Sequence, residues 1–216
     1  MAQTRFYRHY KNKPYKYLGL VRHSETLEEL VLYEAMYENE NGRIWVRPKK
    51  MFFEKIEKNN QLINRFDSVD FKFKNTTSCS ETDIIIIQEI AQQSMGYFDP
   101  LNFRSWIHTQ KSLFLQIAYD NLNAVGFKLG YALKQNIFFS WIEAVLPEYQ
   151  SLGLGSVLME NQHAWCLKNN FTKIQTKCKN EFKQMIRLNL GHGFEIIGTE
   201  SDQQNKIKIL FEKNLG

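Results

Sequence analysis

The chain has few of the residues and segments that mark secreted, metal-binding or membrane-spanning proteins. It contains three cysteines, Cys79, Cys166 and Cys178, an odd number without the spacing of zinc ligands. This disfavours disulfides and a metal site and fits a reducing cytoplasm. The longest aliphatic run, Ile84–Ile87, is far shorter than a membrane span, and residues 1–10 lack the apolar segment of a signal peptide. We therefore expect a cytoplasmic globular protein with no metal and no membrane partner.

Acidic residues are scarce at the start of the chain. Residues 1–66 carry 13 Lys and Arg against 8 Asp and Glu, whereas residues 67–216 carry 15 of each. This asymmetry predicts two domains, 1–66 and 67–216, joined at the polar run 59–64. The basic, aromatic-rich start permits binding of single-stranded nucleic acid. The modest charge favours the alternative, in which these aromatic residues form the wall of a β module.

The first domain reads as mainly β. Residues 15–21 and 44–46 are β-prone, the Asn41–Gly42 dipeptide is typical of a hairpin turn, and Pro48 is suited to open a helical turn. The run 30–37 fits both a helix and a strand. Several motifs, including the HSET sequence at 23–26 and the WVRP sequence at 45–48, resemble a small bacterial domain of unknown function. That resemblance implies a compact β module, so we interpret 30–37 as a strand.

The HSET motif also suggests catalysis, because His23, Ser24 and Glu25 are residue types of a hydrolase triad. Triad partners normally converge from distant positions, so adjacent residues favour a polar turn instead.

The second domain alternates strand-like and helix-like segments. Residues 69–73 predict a strand, Ser80–Asp83 a helix start, and Gly96 the end of that helix. Continuing in this way, the pattern predicts the order β-α-α-β-β-β-α-β-α-β-β. The final helix is expected over 180–190, with two strands after it joined by a polar turn.

A glycine loop lies between the second-last helix-like run and the strand before it. The apolar strand 137–146 ends at Pro147, and Gln150–Gly155 then leads into a helix. Such a loop directs backbone N–H groups and a helix dipole at one point, as a phosphate site requires. The loop has no Gly-Lys-Ser/Thr end, which excludes a Walker loop, and no third glycine, which disfavours a dinucleotide fingerprint.

The sequence VLPEYQSLGLG at 145–155 closely resembles the acyl-CoA-binding signature of the GNAT family of N-acetyltransferases. The segment from Asn180 to Gly193–Phe194 resembles that family's last helix. The resemblance implies an α+β fold: a mixed, mostly antiparallel GNAT sheet flanked by helices, preceded by the small mainly-β domain. It also implies acetyl-CoA as co-substrate. The implied cofactor-binding residues are Ala144, Val145 and Leu146 for the pantetheine arm, Gln150, Ser151, Leu152, Gly153, Leu154, Gly155 and Ser156 for the pyrophosphate, and Asn180.

Amine acetylation needs a base for the amine and a donor for the developing oxyanion. We predict that the Val145 amide is the donor and that Glu143 is the base, since a carboxylate in an apolar strand is unusual. The alternatives are that Glu143 faces solvent and that Asn180 only caps a helix. The family often has a tyrosine acid four residues before the Gly-Phe glycine. Here that residue is Asn189, which cannot donate a proton.

Together these features predict an acyl-CoA-dependent N-acetyltransferase acting on a primary amine of a small molecule or a protein. The acceptor segments are expected at 84–110 and 199–206, and the first of them holds Tyr97, Phe98, Phe103, Trp106 and His108. The alternative is a non-catalytic CoA sensor or a regulatory protein that binds nucleic acid or protein through its basic first domain.

Overall fold

The chain is divided into two compact units in the computed structural model. The structure describes residues 5–37, 40–96, 98–110, 112–201 and 206–216, without the side chain of Arg5. One unit comprises Met1–Phe71 together with Glu148–Gly153, and the other comprises Lys72–Pro147 and Leu154–Gly216. The domain boundary expected at 66/67 stays a prediction. Among the described residues, no helix has both the length and the hydropathy to span a bilayer.

The N-terminal region is mainly β, as predicted. Its elements are β1 (Arg5–His9), β2 (Lys13–Arg22), β3 (Glu29–Ala35), β4 (Ile44–Pro48), α1 (Lys49–Phe52), β5 (Lys55–Lys58), β6 (Gln61–Asn64) and β7 (Phe66–Val69). Five strands form an antiparallel sheet in the order β4-β3-β2-β1-β7, and β5 pairs with β6. The ambiguous run at 30–37 is therefore largely strand.

The polar run 59–64 is not a linker, and that part of the prediction is wrong. It forms the turn and second strand of the β5–β6 hairpin. Asn59 and Asn60 have φ angles of 51° and 60°. Two positive φ angles in a two-residue turn match the twist of antiparallel strands, and asparagine tolerates this conformation better than most residues. The hairpin is polar because it is exposed.

Aromatic rings form the core of this unit. Phe52 stacks on Phe66 at 4.0 Å between ring centroids, and Tyr7 and Tyr33 are buried against the same pair. The Tyr15 hydroxyl lies 2.6 Å from that of Tyr37. Rings that pack on one another leave little face for stacking on bases, which supports the wall interpretation over nucleic-acid binding.

The rest of the chain has the predicted order of elements. They are β8 (Phe71–Thr76), α2 (Glu81–Met95), α3 (Pro100–Ile107), β9 (Leu113–Asp120), β10 (Asn123–Lys134), β11 (Ile137–Val145), α4 (Leu154–Lys168), β12 (Lys173–Lys179), α5 (Lys183–Gly191), β13 (Glu195–Ser201) and β14 (Ile207–Asn214). The sheet order is β13-β14-β12-β11-β10-β9-β8. The pairs β9–β10, β10–β11, β12–β14 and β13–β14 are antiparallel, whereas β11 and β12 are parallel.

Local signals explain where α2 begins and ends. Ser80 and Asp83 form a reciprocal capping box, and Gly96 closes the helix in the left-handed conformation with φ of 70°. Two boundaries differ from the prediction. The strand expected at 69–73 is divided at Asp70 between β7 and β8, and α5 begins at Lys183 rather than at Asn180. The polar turn expected before the last strand includes 202–205, which lie outside the described residues.

The seven-stranded sheet has an apolar cluster on each face. Alternate residues of β9 separate the two, with Leu113, Leu115 and Ile117 in one cluster and Phe114 in the other. The first cluster includes residues of α2 and α3, and the second includes residues of α4 together with partly buried residues of α5. The fold is therefore α+β with a mixed sheet between helices.

Candidate functional site

The two parallel strands at the centre of the sheet diverge. β11 and β12 pair only over Ile137–Phe139 and Lys173–Gln175. The next link is a side-chain bond, in which Thr176 Oγ1 donates to the Ser140 carbonyl at 2.7 Å. Beyond it, the described residues of the two strands form no further ladder pairs, although β11 continues to Val145. One edge of the C-terminal half of β11 therefore borders a gap in the sheet.

Val145 directs its backbone toward that gap. Leu146 donates its N–H to the Val125 carbonyl at 2.9 Å, on the β10 side. Backbone groups alternate along a strand, so the Val145 N–H and C=O point away from β10. The Val145 carbonyl accepts a hydrogen bond from Ser94 Oγ at 3.0 Å. Of the three residues expected to pair with a pantetheine arm, Leu146 uses its N–H within the sheet and Val145 has the required direction.

The loop after β11 takes the backbone shape that its sequence predicts. A short 3-10 turn, Pro147–Tyr149, leads to Ser151 and Gly153, whose φ angles are 63° and 73°. Leu152 is fully buried and anchors the loop, whereas Gln150 and Ser151 are exposed. The loop runs into α4 at Leu154, so the first-turn N–H groups, which include those of Gly155 and Ser156, have no intrahelical acceptor. This is the backbone arrangement of an anion site.

Close contacts explain both glycines of the loop. A Cβ on Gly153 would lie 2.3 Å from the Phe6 ring, and its positive φ also disfavours any other residue. A Cβ on Gly155 would lie 2.9 Å from Glu143 Oε1. Glycine is therefore favoured at 153 by conformation and space, whereas at 155 an added Cβ would make the end of the Glu143 side chain shift.

Glu143 is buried in an ion pair. Its carboxylate lies 2.6 Å from Lys128 Nζ, directly across the β10–β11 ladder, and the two side chains are 6% and 3% exposed. The alternative that Glu143 faces solvent is therefore wrong. The sequence contained no signal that Lys128 would be the partner, because the pairing depends on the strand register.

Two protein-family models match parts of the chain. The model of the acetyltransferase (GNAT) family matches residues 83–194, and that of DUF1653, a protein of unknown function, matches residues 5–68. The chain belongs to the GNAT family. Both resemblances seen in the sequence are thereby confirmed, and the protein is an enzyme of the N-acetyltransferase type.

Solved structures share the fold of about two thirds of the chain. The ribosomal-protein-S18-alanine N-acetyltransferase of Escherichia coli has a TM-score of 0.59 at 16% identity, covering 67% of this chain and 95% of its own. Ard1 of Thermoplasma volcanium scores 0.58 at 19% identity, covering 68% and 98%. The yncA protein of Salmonella typhimurium, solved with its cofactor acetyl-CoA, scores 0.55 at 13% identity, covering 68% and 94%. No curated protein sequence matches the chain.

Two asparagines of this GNAT domain have distinct surroundings. Asn180 is exposed and accepts a hydrogen bond from Lys183 Nζ at 3.0 Å, while Phe182 is the N-cap of α5. Asn180 is therefore not a helix cap, and that alternative is wrong. Asn189 is 1% exposed, and its Nδ2 has no hydrogen-bond partner among the described residues. The backbone carbonyl of Asn189 accepts hydrogen bonds from the N–H groups of His192 and Phe194.

Two buried polar residues of α4 were not predicted from the sequence. Gln162 and His163 are buried on the same helix face as Leu158, Met159 and Cys166. Burial, with Lys213 and Lys128 nearby, lowers the pKa of His163 to about 3. The helical period alone predicts this burial, since the two polar residues continue the apolar row at i+4.

Proposed function

We propose that the chain transfers the acetyl group of acetyl-CoA to a primary amine by direct attack in a ternary complex. The observation that carries the proposal is the gap beside β11, which leads along the chain into the glycine loop and the first turn of α4. The residues present fit acetyl-CoA. Val145 would align the pantetheine arm, and Gln150–Ser156 would hold the pyrophosphate. Asn180 remains a further proposed contact, whereas Ala144, two residues before Leu146, directs its N–H and C=O toward β10 by the same alternation.

Acetyl-CoA supplies an activated thioester carbonyl when it is bound. The Val145 N–H is the proposed donor to the carbonyl oxygen, because it points to the side of β11 that β12 leaves unpaired beyond Phe139. Glu143 is the proposed base. The Glu143 carboxylate is buried and paired with the Lys128 ammonium group. A water molecule would therefore carry the amine proton to the carboxylate.

The acceptor is proposed to be an amine of a small molecule or a protein. Within the expected acceptor segments, Phe103 and Trp106 pack on Trp141 with ring centroids 5.7 and 3.9 Å away. An aromatic surrounding without a cluster of cations does not favour a polyanionic acceptor. Tyr97 and residues 202–205 lie outside the described residues.

A second candidate function, CoA sensing without turnover, is favoured by Asn189, since a side-chain amide cannot protonate a leaving thiolate. Thermal unfolding with acetyl-CoA, CoA and ATP tests the site common to both functions. Acetyl-CoA at about 100 times its Kd should stabilise the protein by about 2.7 kcal/mol, a shift of several degrees, and ATP should not. Release of free thiol in the presence of a panel of amines then distinguishes the transferase from the CoA sensor. Binding without release on any amine favours the sensor, and no binding contradicts both.

A further inference from the structure

Two side chains of β1 lie against the glycine loop within the first compact unit. Phe6 contacts Gly153, and Arg8 contacts the residues just before Gln150. The Arg8 guanidinium lies 4.3 Å from the centroid of the Tyr149 ring, and its Nη2 donates to the Glu148 carbonyl at 3.4 Å. Tyr149 is buried, which orders this stretch. Residues 6 and 8 share one face of the strand, whereas Tyr7 points into the aromatic core.

No carboxylate of the described residues forms an ion pair with Arg8. Asp67 lies opposite it in the β1–β7 register, but the Asp67 carboxylate accepts from Asn64 Nδ2 at 2.8 Å. Among the described residues, Arg8 forms no ion pair within 4.0 Å. A half-buried guanidinium that donates to a neutral carbonyl has further N–H donors for an anion.

The loop itself lacks a cation. Its sequence from Gln150 to Ser156 contains no Lys or Arg, although its backbone is shaped for a phosphate. The guanidinium matches phosphate oxygens with its planar fork of donors. The stacking on Tyr149 restricts its side chain, which lowers the entropy lost on binding.

We propose that Arg8, from the N-terminal strand, supplies the phosphate-binding cation at the glycine loop Glu148–Gly153, which belongs to the same compact unit as that strand. This inference rests on the proposed function, because it assumes that the glycine loop holds the acetyl-CoA pyrophosphate. It assigns to the fused N-terminal region a role in cofactor binding.

The test is acetyl-CoA binding by the full chain, measured by calorimetry on wild type, Arg8→Ala, Arg8→Lys and Arg22→Ala. Arg22 is an exposed cation of the same sheet, so it is the matched control. Loss of a charge-assisted phosphate contact should weaken binding about 10- to 100-fold in Arg8→Ala. Arg8→Lys should recover part of the loss, and Arg22→Ala should bind like wild type. The affinity of Arg8→Ala should also depend less steeply on salt than that of wild type.

A ligand without phosphate groups distinguishes two roles of Arg8: binding the phosphate through its charge, and supporting the structure of the glycine loop. S-acetylpantetheine, measured by competition, should bind wild type and Arg8→Ala equally. Equal losses for acetyl-CoA and S-acetylpantetheine, or an unchanged acetyl-CoA affinity in Arg8→Ala, would overturn the inference and leave the proposed function intact. Failure of wild type to bind acetyl-CoA would overturn both. The thermal midpoint of each unliganded variant shows whether it is folded. If Arg8→Ala is not folded, the comparison is made between Arg8→Lys and wild type.

Discussion

The buried pair of Lys128 and Glu143 makes the strongest prediction at the scale of the residue. Lys128→Met leaves a buried carboxylate without its partner and should lower the free energy of unfolding by about 3–5 kcal/mol. The double variant Lys128→Met/Glu143→Leu removes both charges and should recover most of that loss. Urea unfolding of the three proteins checks this, and equal losses in the single and double variants would contradict it.

Glu143→Gln tests catalysis at the same residue. If Glu143 is the base, the variant should lose about 100-fold or more in kcat while its affinity for acetyl-CoA stays near that of wild type. The reaction rate and the free energy of unfolding are measured together. A rate loss that disappears once the folded fraction is corrected for would assign Glu143 a structural role alone.

At the scale of the element, the glycine loop depends on Gly153. Gly153→Ala places a Cβ against Phe6 in a left-handed conformation and should cost at least about 1 kcal/mol of stability. It should also weaken acetyl-CoA binding, because the loop must move. Gly191→Ala is the control, since no neighbour lies within 4 Å of its Cβ, and a helical alanine should stabilise by about 0.5–1 kcal/mol. Calorimetry and thermal unfolding measure both, and similar behaviour of the two variants would contradict the prediction.

The elements also show where local sequence suffices. Three features depend on residues close in sequence: the capping box of α2, its end at Gly96 and the loop at 150–155. These features can therefore be predicted from the sequence pattern. The β5–β6 hairpin was not predicted, because its polar strands lack the alternation of apolar and polar residues that is typical of a half-buried strand. The start of α5 was placed too early, because Asn180 resembles a cap while its side chain is bonded to Lys183.

At the scale of the whole molecule, the buried His163 and the half-buried His9 predict an acid-sensitive fold. Burial lowers the pKa of His163 to about 3, and burial with Arg47, Arg65 and Lys11 lowers that of His9 to about 4. The folded protein keeps both neutral, whereas the unfolded chain binds protons below about pH 6.5. Stability from these groups is complete above that pH and falls as the pH drops toward 4 and then 3. His163 alone should cost about 2 kcal/mol between pH 7 and 5.

Urea unfolding of wild type and His163→Gln at about pH 7 and pH 5 checks this, because carboxyl groups with ordinary pKa values titrate mostly below that window. The variant should lose less stability on acidification than wild type. An equal loss in both proteins would show that His163 is not responsible.

The sequence by itself determined the order of the elements in the second domain, the family and the position of the glycine loop. These depend on propensity, periodicity and turn chemistry over short stretches, where a few residues are enough. Only the tertiary structure decided that Lys128 neutralises Glu143, that β11 and β12 part after Phe139, and that Arg8 lies beside Glu148 and Tyr149. The physical reason is that these contacts join residues up to 140 positions apart, and strand register and packing bring them together.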